Sequence, residues 1–301
     1  MVTRRNKAWA AVLALAAGLL LATAPAAHAA TPEAEQAFEE ARQAAKSGPQ
    51  DIPLASQAVL KLPKGTSFIP QPQATRLLNA MGNPGQDSRL QGLVFPEGEN
   101  GWFVTIRYEA SGYIKDDDAK DWNADDLLKS YREGTEAANE ERLKMGSPAL
   151  LIMGWAEKPA YDAATHRLAW AMISRQKDAP LSAARGVNYN TYALGREGYF
   201  SLNLVTGLDE LPKYKAEAHA LLGALNFNDG KRYADFNAKT DHVAEYGLAA
   251  LVVGVAAKKL GLLAVGLAFL AKFAKLGLLL LAGGGAAIMK FFRRAKPNDP
   301  A

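Results

Sequence analysis

Residues 102–109 read Trp102-Phe103-Val104-Thr105-Ile106-Arg107-Tyr108-Glu109. Trp102, Val104, Ile106 and Tyr108 alternate with Thr105, Arg107 and Glu109, the two-residue period of a strand with one buried face. Phe103 breaks the alternation, so this strand is expected to be covered on both faces. Downstream, residues 150–155, 168–174, 189–194 and 199–205 carry further strand signals, and the last two are joined across Gly195-Arg196-Glu197-Gly198 as a hairpin. Upstream, residues 57–62 and 67–69 flank Pro63-Lys64-Gly65 and also read as a hairpin.

Helices interleave with these strands. Ala34, Ala37, Phe38, Ala41, Ala44 and Ala45 recur at helical spacing after Thr31-Pro32, and Ser47-Gly48-Pro49 stops them. Residues 74–81 form a short helix ended by Gly82-Asn83-Pro84. Another starts after Asn123, carries Leu127, Leu128, Tyr131, Ala138 and Leu143, and stops at Met145-Gly146; a further one covers roughly 211–225. From Asp241 onward helical character is expected to run on into the C-terminal segment. The pattern is α+β, a single domain with a mostly antiparallel sheet and packed helices.

Both ends of the chain read as membrane-related. Arg4, Arg5 and Lys7 precede an apolar run and an Ala27-His28-Ala29-Ala30 site, the layout of a cleavable signal peptide over residues 1–29. Residues 247–289 are apolar except for Lys258, Lys259, Lys272 and Lys275, and residues 260–281 hold ten leucines. A helix needs about 20 apolar residues to cross a bilayer. The lysines make insertion marginal, at about 2.5–3.5 kcal/mol each near the centre. At about 100° per residue, Lys258, Lys272, Lys275 and Lys290 share one sector, from which long stems can snorkel or face a partner helix. A surface-lying helix and a two-span hairpin are the alternatives to one span. Lys290, Arg293, Arg294 and Lys296 then form a basic tail of the kind favoured on the cytoplasmic side. The resulting division is signal peptide 1–29, exported domain 30–240, helical membrane anchor 241–289 and basic cytoplasmic tail 290–301. The expected location is the cytoplasmic (inner) membrane, single-pass, with the main domain periplasmic.

Composition narrows the partners. There is no cysteine, which excludes disulfides, thiol nucleophiles and cysteine metal sites. Of the total charge of +4, the signal region holds +3 and residues 247–301 hold +7, leaving the exported domain at −6. Such a surface does not suit a nucleic-acid partner. Membrane lipid and a protein partner in the envelope are expected instead.

Candidate chemistry is sparse. Asp116, Asp117, Asp118 and Asp121 are the densest acidic run, but Lys120 stands where a calcium loop needs an oxygen ligand and no glycine follows. The run reads chiefly as a solvated turn before the Asn123-capped helix, so its replacement should change stability by about 0.5 kcal/mol or less. Arg232, Tyr233, Asp235 and Asp241 form a polar cluster before the anchor, suited to capping or to headgroups. Asp116, Asp117, Asp118 and Asp235 are the candidate ligand-binding residues; Lys258, Lys259, Lys272, Lys275, Lys290, Arg293 and Arg294 are the membrane-flanking ones. His166, His219 and His242 have no metal-ligand partner of the right type at i+3 or i+4, there is no Gly-x-Ser-x-Gly elbow, and neither a metal nor a cofactor is implied.

Several stretches, taken in order, carry a resemblance. They are residues 112–119 (GYIKDDDA), 154–162 (GWAEKPAYD), 194–198 (LGREG), 232–236 (RYADF) and 244–248 (AEYGL). His166 lies within a similar stretch, 164–170. Together they resemble the bacterial membrane-anchored proteins that carry domain of unknown function 2167, from about Gln57 onward. The resemblance implies a signal peptide and a C-terminal membrane segment, and no activity or catalytic residue. The functional expectation is a non-enzymatic interaction or assembly domain of the envelope. The alternative is an envelope hydrolase or metal-assisted enzyme using Asp116, Asp117 and Asp118 with His166 or Asp235.

Overall fold

The structure, a computed structural model, describes residues 32–253 except Pro84, Glu99, Asn100, Asp121 and Met145. The chain divides into two compact units, Met1–Val253 and Gly254–Ala301, and all described residues belong to the first. The signal-peptide residues, Thr31, Asp121 and the basic positions Lys258, Lys259, Lys272, Lys275, Lys290, Arg293 and Arg294 lie outside the described residues. No helix among the described residues is long and apolar enough to cross a membrane.

The architecture is α+β. Among the described residues the strands are β1 (Lys46–Ser47), β2 (Gln50–Leu54), β3 (Ala58–Leu62), β4 (Thr66–Pro70), β5 (Leu90–Pro96), β6 (Phe103–Glu109), β7 (Leu150–Asp162), β8 (Arg167–Gln176), β9 (Gly186–Leu194), β10 (Tyr199–Gly207) and β11 (Leu225–Phe227). The α-helices among the described residues are α1 (Pro32–Ala44), α2 (Gln73–Ala80), α3 (Ala124–Lys144), α4 (Leu211–Ala224) and α5 (Leu248–Val253). An antiparallel sheet of eight strands has the order β1-β4-β5-β6-β10-β9-β8-β7, and a second of three has the order β11-β3-β2.

β6 sits in the middle of the large sheet, paired to β5 and β10. Its double coverage is as the sequence led us to expect. On one face Val104 and Ile106 join Phe200, Leu202, Leu204 and Tyr189 in a core closed by the small sheet and α4. On the other, Phe103 stacks on Phe95 with ring centroids 5.5 Å apart, beneath α1 and α2.

The 195–198 hairpin is present, with Tyr199 opposite Leu194. The upstream hairpin is not. β3 pairs with β2 and β11, whereas β4 pairs with β1 and β5, so Pro63-Lys64-Gly65 carries the chain from one sheet to the other. Leu60 and Leu62 of β3 are buried in the layer shared with Ile52, while four of the five residues of β4 are buried. Alternation marks a strand but does not name its partner.

The outer edge of β7 is closed by α3. Leu150 N donates to Asn139 Oδ1 at 2.8 Å, and Asn139 Nδ2 returns a bond to Leu150 O at 3.0 Å. Arg132 reaches the Ile152 and Met153 carbonyls at 3.1 and 2.6 Å. These side chains occupy groups that an open edge would offer to another chain.

The stretch after Asp241 differs from its expected helix. Residues 241–247 are bends and a single bridge, and α5 begins only at Leu248. Tyr113 N donates to His242 O and Ala244 N to Tyr113 O, both at 2.8 Å, so this strap lies beside residue 113 as a short parallel bridge. Those bonds replace the ones an α-helix would have made within itself.

Candidate functional site

The quoted motifs converge at one end of the large sheet, where residues 228–253 cross it. Tyr113 lies against Tyr233 and Phe236, with centroids 4.3 and 3.9 Å away, and the His166 ring stacks on Tyr233 at 4.1 Å. The Tyr233 hydroxyl donates to the Ile114 carbonyl at 2.8 Å. Gly112 has φ +85°, and a Cβ there would meet His242 O at 2.6 Å. Only glycine suits both that conformation and that contact.

Two charged links fasten the strap. Arg196 donates bidentately to Asp241, at 2.6 and 2.7 Å. Asp241 also accepts from Asn237 N at 2.7 Å. The Arg196 bonds, followed by that backbone bond, hold the Asp241 carboxyl well below the usual carboxylate range. Glu197, next in the same turn, takes Lys231 at 2.6 Å and Gln57 at 2.8 Å.

The acidic run does not form one cluster. Asp118 accepts the backbone N–H groups of Leu248 and Ala249, both at 3.0 Å, and so caps the start of α5. Gly247 passes close enough to that carboxylate that a Cβ would collide with it. Asp116 Oδ2 accepts the Tyr161 hydroxyl at 2.7 Å and lies 3.8 Å from His166 Nδ1. Asp235 closes its own turn by accepting Arg232 N at 2.9 Å. Asp117 is exposed. The solvated-turn reading therefore describes Asp117; for Asp118 it is corrected, because its carboxylate holds a segment 130 residues away. Among the described residues no group of three or more His, Asp or Glu side chains could hold a metal ion.

Of the residues proposed for chemistry, Asp116 and His166 do come together, through Tyr161. The Tyr161 hydroxyl is 3.1 Å from His166 Nδ1. Burial, then the bond to Asp116, pushes the Tyr161 phenol well above its ordinary range, and burial does the same to Tyr233. Both phenols therefore stay protonated at neutral pH and serve as donors, not as bases. With its one proton given to Asp116, Tyr161 accepts from His166 when that ring carries hydrogen on Nδ1. The β7–β8 turn sets the geometry. Asp162 accepts Ala164 N at 2.9 Å and the Thr165 hydroxyl at 2.7 Å, which leaves His166 at φ +53°. His is among the few side chains enriched there.

Sequence reasoning did not single out Tyr113, Tyr161, Arg196 or Phe236, although each lies in a motif stretch. Their clustering in the 112–119, 154–162, 194–198 and 232–236 stretches was the available signal. It named the pieces without saying that they touch.

An antiparallel α+β body whose motif residues bind one another and a C-terminal strap defines the class. The chain belongs to the family described as protein of unknown function (DUF2167), whose model matches residues 46–282. No curated protein matches the sequence. Among solved structures, it is similar to cyanobacterial PsbP (CyanoP) from Synechocystis sp. PCC 6803. The two are 9% identical over 61% of this chain and 91% of that one, with a TM-score of 0.36.

Proposed function

We propose that this protein is a membrane-anchored envelope component whose body serves as a non-enzymatic interaction or assembly domain on the periplasmic side. The observation that carries the reading is how the motif residues are used. Arg196, Asp118 and Tyr113 direct their polar and aromatic groups to residues 228–253, the stretch that leads into the apolar segment, and Tyr233 of that stretch donates in return to Ile114 O. A body clasped to the root of its anchor moves with it, as a docking platform near a membrane must. The apolar segment from residue 254, the basic residues Lys290, Arg293 and Arg294 and the signal-like N-terminus support one crossing with the tail in the cytoplasm. Membrane lipid and an envelope protein are the partners this arrangement suits.

Reporters fused after Ala301 test the topology. A cytoplasmic fluorescent protein should be bright and alkaline phosphatase inactive; the reverse result overturns the single span. The nearness of Asp116 and His166 favours a second reading, a hydrolytic site. Affinity capture of wild type and Tyr161→Phe from membranes separates the two. The interaction reading expects a reproducible partner retained by both. Turnover of a hydrolase substrate panel that Tyr161→Phe abolishes supports the rival.

A further inference from the structure

Arg142 stands in the last turn of α3 with more donors than the protein uses. Its Nε donates to Pro148 O at 3.0 Å. Among the described residues it forms no ion pair, and neither terminal nitrogen of its fork has a partner. A cation is favoured at a helix C-terminus, and the Pro148 bond serves that end. The fork, with four N–H donors, is left over.

The turn after α3 sets Ser147 beside it. Gly146 has φ +73°, and Ser147 N donates back to Arg142 O at 2.8 Å. Ser147 is only 7% exposed, yet its hydroxyl has no hydrogen-bond partner among the described residues. Hydroxyls in so buried a position are normally bonded, so this one is a donor without its acceptor.

Both side chains line one cleft of about 240 Å³, between the turn after α2 and the end of α3. Arg107 and Asp87 line it too, but their groups are engaged. Arg107 donates from Nε to Asp87 at 2.9 Å and from a second arm to Thr105 Oγ1, while Arg89 donates to Asp87 at 2.8 Å. Two guanidinium groups against one carboxylate leave the lining positive by one charge, which suits a monoanion; Asp87 repels a second negative charge. Leu78 and Leu90, 9% and 3% exposed, supply an apolar part of the wall. The space is smaller than the roughly 300–1,000 Å³ of a drug-sized pocket, so its occupant is small.

We propose that this cleft binds a small organic monocarboxylate. Its two oxygens take the Arg142 fork, a planar match that forms two parallel charge-assisted bonds. Ser147 Oγ donates to the same carboxylate, and the short carbon chain lies on Leu78 and Leu90. Phosphate suits the cleft less, because it brings further charge toward Asp87 and nothing to the apolar wall. All these residues line the cleft and none belongs to the clasp, so the site stands or falls apart from the function proposed above.

Calorimetry on the full chain in detergent micelles tests this, with butyrate as the probe, inorganic phosphate as the rival anion and butanol as the uncharged analogue. Butyrate should bind about tenfold or more tightly than either of the others. Arg142→Gln should weaken butyrate about tenfold or more, as expected for a charged hydrogen bond. Ser147→Ala removes a hydroxyl that bonds nothing else in the described protein. It should keep the fold even if Arg142→Gln does not, and should weaken butyrate about fivefold or more. Absence of butyrate binding to wild type at up to about 10 mM overturns the proposal. So does a Ser147→Ala variant, or a folded Arg142→Gln variant, that binds butyrate as wild type does. Phosphate or butanol bound as tightly as butyrate overturns the assignment to a carboxylate.

Discussion

Two rows of side chains, one residue out of step along the same four strands, show how differently the faces of the large sheet are built. Val104, Leu204, Tyr189 and Ala171 are mutually paired and each is 1% exposed or less. Their one polar atom, the Tyr189 hydroxyl, meets His219 Nε2 at 2.7 Å. Their neighbours Thr105, Asn203, Asn190 and Trp170 point the other way, and two of their polar atoms are unmet. The first row is packing, covered by the small sheet and α4. The second keeps polar chemistry inside the protein, where packing alone would favour apolar side chains. The two faces of one sheet thus bury different chemistry, apolar on one and partly polar on the other.

The sharpest way to break this comparison is to mutate across it. Leu204→Ala empties a fully buried site and should cost about 3–5 kcal/mol in chemical denaturation. A loss under about 1 kcal/mol would mean that the apolar face is not the principal core. At the clasp, Asp118→Ala removes two charged hydrogen bonds and the cap of α5. It should cost about 2 kcal/mol by the same measurement, well above an exposed-charge change.

Acid should find the other face. Burial alone would raise the Asp87 carboxyl, but the bonds from Arg89 and Arg107 outweigh it and bring the group from 3.8 down to about 2. A folded-state value below the unfolded one gives stability that is present above about pH 4 and lost as pH falls toward 2. Asp87→Asn should flatten the melting temperature between those pH values. An unchanged acid slope would remove Asp87 from the account. The smallest effect belongs to Asn203→Leu, which fills the same space without an unmet acceptor. Its melting temperature should stay within a few degrees of wild type or rise. A large drop would show that Asn203 is satisfied in a way this row does not display.

The strands around Trp102 and the helix after Asn123 were legible because hydrophobic period and capping are local properties. Asn123 does cap α3, accepting Asp125 N at 2.8 Å. Register is not local. Nothing in the spacing of Asn203, Asn190 and Trp170 places them side by side, and the pairing of β3 with β2 instead of β4 follows from which apolar layer each serves. β1, β2, β5 and β11 went unread, β1 because two residues carry no period. β5 did have a signal in Leu93-Val94-Phe95, a continuous apolar run of the kind that marks a strand buried on both faces. The site was legible as motifs and illegible as contacts. Asp118 looked like a free carboxylate beside its own helix, and its partners are backbone amides of residues 248 and 249.

The motif residues clasp the strap and α5 to the body. Amide hydrogen exchange in the full chain in micelles measures that clasp directly at Leu248, Ala249 and Ala244. In wild type these amides should be protected. In Asp118→Ala the amides of Leu248 and Ala249 should exchange faster by about tenfold or more, while Val104 and Leu202 in the core keep their protection. Fast exchange at Leu248 and Ala249 in wild type, or no change on removing Asp118, would contradict the clasp.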